Sequence, residues 1–140
     1  MKIPVMLSIC GRQAYMDQEP DSIELVTEGT MEFCNNGWNI SYEESDLTGL
    51  SGVTTTFRVE QGKIILRRSG RLSSEMVFQE GVSHSSLYQM EFGALLVTVC
   101  ATRIFAQLDE GVGTIDLVYN IDIEHSATGT VDYHLEIRPK

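Results

Sequence analysis

Cysteine, proline, tryptophan and positive charge are all scarce in this 140-residue chain. The three cysteines, Cys10, Cys34 and Cys100, are odd in number and far apart, with no C-x-x-C pair, which argues against a disulfide framework or a zinc knuckle. They read as free thiols in a reducing compartment, so the expected location is the cytoplasm. Pro4, Pro20 and Pro139 sit near ends or turns and leave no Pro-rich linker. Ten Lys and Arg against twenty Asp and Glu give a net charge of −10. Neutralising phosphates takes clustered cations over much of a surface, so neither nucleic acid nor an anionic membrane is expected as a partner. No stretch approaches the length of a membrane-spanning helix. The N-terminal IPVMLSIC is too short for a signal h-region and carries Ile9 where a cleavage site needs a small residue. G-x-S-x-G, P-loop, H-E-x-x-H and dinucleotide signatures are also missing. No cofactor or metal is expected, and the reading leans away from an enzyme.

What is present is alternation. Ile115, Leu117, Tyr119, Ile121 and Ile123 face Asp116, Asn120, Asp122 and Glu124, and Val131, Tyr133, Leu135 and Ile137 face Asp132, His134, Glu136 and Arg138. Period two prevails over the helical period nearly everywhere. Counting IELVTEGTMEF, WNISYEE, GVTTTFRVE, KIILRR, SEMVF, LYQMEF, ALLVTVCA and RIFAQL, about ten candidate strands follow one another, split by short Gly-bearing links. Hairpin-length links make antiparallel neighbours. Residues 1–140 are therefore expected to form one all-β domain: a closed antiparallel meander barrel of about 8–10 strands first, a sandwich second. An interior of this size holds side chains or one small ligand.

Turn lengths predict pairing. A two-residue turn at Gln61-Gly62 sets Val59 opposite Ile64, Phe57 opposite Leu66 and Thr55 opposite Arg68, so Arg68 points inward. The other face, with Arg58, Lys63 and Arg67, reads as a solvated ladder. Symmetrical closure of the preceding link sets Tyr42 beside Thr55 and Glu44 beside Val53, and a three-residue link after Arg68 brings Ser74 next to it. The apolar face thus carries a polar cluster near one rim: Tyr42, Glu44, Thr55, Arg68 and Ser74. Buried charge is costly unless paired, and Arg presents a fork suited to carboxylates. Either Glu44 and Arg68 seal the mouth as a pair, or Arg68 meets an anionic or carbonyl-bearing ligand with Tyr42 and Thr55 as hydrogen-bond partners.

The first functional expectation is a small-molecule binding module, its pocket lined by Trp38, Tyr42, Phe57, Tyr88, Phe92, Tyr119 and Tyr133. The alternatives are an enzyme using Glu44 as acid or base at the same rim, and an interaction module that pairs with other proteins or as a homodimer. His84, His125 and His134 lack metal-ligand spacing; Asp132-x-His134-x-Glu136 reads as a wet strand face. Cys100 reads as a buried small hydrophobe, and Cys34 has no basic neighbour in sequence.

The succession YEESDLTGLSGVTTTF, IILRRSGRLSSEMVF, the Tyr and Gly of YQMEFG, and GTIDLVY before a closing strand resembles the YwiB-like bacterial family of unknown function. The resemblance implies a calycin-like, lipocalin-type barrel over nearly the whole chain, and no catalytic residues. The family has a Thr two residues after the tyrosine where this chain has Met90, so a polar site built on that Thr is altered here.

Overall fold

Alternating residues and tight turns build ten strands among the described residues. The protein, seen in a computed structural model, is described over residues 2–15, 21–44, 51–90, 93–124 and 126–140. The strands are β1 (Ile3–Tyr15), β2 (Asp21–Cys34), β3 (Gly37–Glu43), β4 (Val53–Glu60), β5 (Lys63–Gly70), β6 (Ser74–Phe78), β7 (Ser83–Met90), β8 (Gly93–Asp109), β9 (Val112–Ile123) and β10 (Ser126–Pro139). Among the described residues there is no helix, and so none long and apolar enough to cross a membrane.

All ten belong to one sheet, in the order β6-β5-β4-β3-β2-β1-β10-β9-β8-β7, with antiparallel neighbours throughout. Chain order thus runs around a ring. β1 and β10 pair along eleven positions, from Val5↔Pro139 to Tyr15↔Gly129, and the ring's weak seam lies between β6 and β7. Ser73 and Gln89 exchange two backbone bonds there, at 3.0 and 2.8 Å, and Gln79 faces Val82 at the link. The expected closed barrel is therefore nearly closed. With only five residues, β6 is too short to complete the ladder, and β8 takes over below it: the Gly81 amide donates to Ala101 O at 2.9 Å and the Ile104 amide to Glu80 Oε1 at 2.7 Å. The sequence separates ALLVTVCA from RIFAQL, but the structure runs them together as β8. A bulge between Ala101 and Arg103 bends the strand without ending it.

One end, called upper here, carries the passages from β1 to β2, β3 to β4, β5 to β6, β7 to β8 and β9 to β10. The lower end carries the turns at Asn35-Asn36, Gln61-Gly62, Gln79–Val82 and Glu110-Gly111. Val5, Leu7, Met31, Ile40, Ile64, Phe78, Ile115 and Leu135 are fully buried. Each such side chain contributes about 1.5–3 kcal/mol on leaving water.

Arg58 departs from the solvated ladder expected for it: it is buried. Its guanidinium donates to Cys34 O at 2.8 Å, Asn35 O at 2.9 Å and, through Nε, to Glu60 at 3.1 Å. It also lies 3.6 Å from Cys34 Sγ, a basic neighbour that sequence adjacency did not show. Asn35 and Asn36 both adopt positive φ, 51° and 62°, as a two-residue hairpin turn requires, and the Asn35 carbonyl turns toward Arg58 of β4. Gly37 makes the approach feasible, because a Cβ there would meet the guanidinium at 2.7 Å.

Candidate ligand-binding site

A row of inward side chains crosses β3 to β6. Tyr42 pairs with Thr55, Thr55 with Arg68 and Arg68 with Ser74, the pairings that turn lengths predict. The pivot is Gln61-Gly62, where Gly62 takes φ +75°. One further rung, Glu44 N–H to Val53 O at 2.8 Å, brings the Glu44 side chain to the same face as Tyr42.

These groups form a connected network. Thr55 Oγ1 donates to Glu44 Oε2 at 2.6 Å, in full burial, and Arg68 Nε lies 4.0 Å from the same oxygen. The Tyr133 hydroxyl donates to Tyr42, whose own hydroxyl donates to Glu44. Burial first, and then the negative charge of Glu44, push the Tyr42 phenol up to about 12; burial likewise raises Tyr133 well above its ordinary value. Both therefore stay protonated at neutral pH. The Glu44 side chain is 2% exposed and that of Arg68 20%. Arg68 Nε and Ser74 Oγ are buried without a hydrogen-bond partner among the described residues. At 4.0 Å the Arg68–Glu44 contact is an ion pair too long to be a hydrogen bond.

Beside this network the upper half of the barrel holds a cavity of about 380 Å³. Tyr42, Glu44, Phe57, Arg68, Tyr88, Tyr119 and Tyr133 line it, with Leu25, Leu66, Met76, Val97 and Leu117 among the apolar walls. Phe57 and Tyr133 pack at 5.5 Å between ring centroids. The fully buried side chains of the lower half, Ile64 and Phe78 among them, do not reach it. Thr55 and Ser74 do not line the cavity; both are buried behind its polar wall. Trp38 is corrected from pocket wall to lower-end packing, edge-on to Phe33 at 5.0 Å. Alternation assigned its side of the strand but not its height along the barrel. Phe92, His125 and the link 45–50 lie outside the described residues. Gln13, missed in sequence, lines the cavity from β1. Extending the alternation of Ile9 and Gly11 by one step would have found it.

On the outer face, His134 lies 2.5 Å from Asp116 and 3.1 Å from Glu136. Hydrogen bonding to Asp116 first, then to Glu136, raises its pKa.

Residues 7–137 match the model of a domain of unknown function, DUF1934. The chain belongs to this family. It is 31% identical over 122 residues to the uncharacterized beta-barrel protein YwiB of Bacillus subtilis (strain 168), covering 84% of each chain. The crystal structure of the ywiB protein from Bacillus subtilis superposes with a TM-score of 0.89 over 99% of this chain and 93% of the other, at 24% identity. That fold agreement makes an all-β barrel the family's architecture.

Proposed function

We propose that the chain is a small-molecule binding module of calycin-like type, acting in the cytoplasm, whose barrel takes a compact ligand with an apolar body and an anionic or carbonyl head. The observation that carries this reading is a buried, unbonded Arg68 Nε at the wall of a mainly apolar cavity of about 380 Å³. Cavities of this size, mainly apolar with a few convergent polar groups, are the usual form of a ligand site. The guanidinium supplies planar N–H donors, of which Nε faces Glu44 at a distance a carboxylate or carbonyl can improve upon. Tyr42 and Tyr133, held protonated with their O–H groups directed to Glu44 and Tyr42, are not bases at neutral pH, which favours holding a ligand over reacting with it.

The net charge of −10 sets nucleic acid and anionic membranes aside as partners in this reading. The test is thermal unfolding of the native chain and of Arg68→Met with octanoate, phenylacetate and their amine counterparts. Carboxylates are expected to raise the melting temperature of the native chain and not of the variant. No response to any probe from an intact barrel would overturn the proposal.

A further inference from the structure

Beyond Ile104, whose amide Glu80 takes up, the lower half of β8 presents a bare edge. Above the bulge β8 pairs with β7 up to Ser83↔Cys100; below it, residues 103 to 109 pair with β9 alone. The two-residue turn at Glu110-Gly111 makes Asp109↔Val112 a hydrogen-bonded pair, so Asp109, Gln107, Phe105 and Arg103 direct their backbone groups to β9. Ile104, Ala106 and Leu108 direct theirs to the other side. The Ile104 amide confirms this parity, since it meets Glu80 Oε1 at 2.7 Å there. For Ala106 and Leu108, no N–H or C=O partner on that side exists among the described residues. Such an edge is a template for another strand, and proteins usually cover or blunt it.

We infer that this edge pairs with the same edge of a second copy, antiparallel and two-fold about Ala106. The sequence RIFAQLD, residues 103–109, is complementary to itself in that register. Arg103 comes opposite Asp109 of the other copy, twice over, Ile104 opposite Leu108, and Ala106 opposite itself with both of its backbone groups bonded. Shifting the two-fold centre to Phe105 or Gln107 moves Arg103 away from Asp109. The flanking surface agrees: Phe33 is 55% exposed, Val82 43% and Phe105 43%, and a groove between the lower ends of β3 to β5 and this stretch of β8 is lined by Phe33, Trp38, Ile104 and Leu108. A second copy there extends the sheet and covers apolar surface that is otherwise wet. This inference does not depend on the cavity or its ligand.

The test is molar mass by sedimentation across a concentration series, on the full chain and on Arg103→Asp, Asp109→Arg, the double swap and Ala106→Pro. The native chain is expected to reach twice the monomer mass as concentration rises. Either single reversal sets like charges opposite each other and shifts the midpoint at least tenfold upward; the double swap restores it. Ala106→Pro removes an amide the monomer does not use, so it abolishes the dimer while the melting temperature at low concentration is kept. Hydrogen exchange at Ala106 and Leu108 slows on dimerisation. A chain that stays monomeric throughout, including one that takes up only a foreign peptide at this edge, overturns the inference, as does a dimer indifferent to the charge reversals.

Discussion

Thr54 and Thr55 are neighbours that donate to neighbouring glutamates from opposite sides of one wall. Thr55 Oγ1 reaches Glu44 Oε2 at 2.6 Å inside, and Thr54 Oγ1 reaches Glu43 Oε1 at 2.9 Å outside. Valine keeps the shape and strand preference of threonine while removing the hydroxyl, so each substitution deletes one hydrogen bond to a carboxylate. Inside, Thr55 is 0% exposed, and Thr55→Val leaves a buried charge with one donor fewer. Loss of a bond to a charged group in that setting costs about 2 kcal/mol. For a chain of 140 residues the unfolding entropy is about 0.3 kcal/mol per degree, so the melting temperature should fall by about 7 °C. Outside, water replaces the lost partner, and Thr54→Val should stay within about 0.5 kcal/mol, under about 2 °C. Calorimetry on the two variants reads the difference directly. A double-mutant cycle of Thr55→Val with Glu44→Gln should show coupling between the two sites, since removing the charge weakens what the hydroxyl supports. Equal losses for Thr54→Val and Thr55→Val would refute the premise that Glu44 lies in a dry interior.

Three further outcomes follow from the geometry. The His134 ring should titrate by NMR with a midpoint above 6.5, and Asp116→Asn should lower it more than Glu136→Gln does, because the Asp116 bond is the larger cause. A raised folded pKa stabilises fully below the unfolded value and is lost as pH rises through the folded one, so unfolding free energy should fall across that window and fall less in Asp116→Asn. Arg58→Met should cost about 2 kcal/mol in denaturant unfolding, and Arg58→Lys should not rescue it, since an ammonium lacks the planar fork that spans the Cys34 and Asn35 carbonyls. Ultraviolet titration should show Tyr42 ionising near 12, with Tyr42→Phe removing that step.

The parity of the strands was legible because β4 and β5 are joined by two residues, which leaves one register, and Gly62 supports the turn. From it came the row Tyr42, Thr55, Arg68 and Ser74 without any long-range information. What parity cannot convey is height, since stagger around a barrel is a property of all the strands together. For that reason Trp38 reads as a pocket residue from its side of the strand, although its ring packs on Phe33 at the lower end. Arg58 misled for a different reason: a long side chain on the outer face can fold back over a neighbouring hairpin, and the Asn35-Asn36 turn offers carbonyls that strand alternation does not reveal. The seam between β6 and β7 was hidden too, because a five-residue strand reads like any other until its neighbours' lengths are known.

The proposed site requires that, of two adjacent arginines, one guanidinium face the barrel interior and the other the outside. Arg68 lines the cavity, while Arg67 bonds to Glu75 at 3.2 Å on the outside. Nitrogen-proton spectra of the arginine Nε groups, assigned with Arg67→Lys and Arg68→Met, follow both during an octanoate titration. Saturable movement of the Arg68 signal with Arg67 still is the predicted result; an unmoved Arg68 signal, or equal drift of both, contradicts the proposed site.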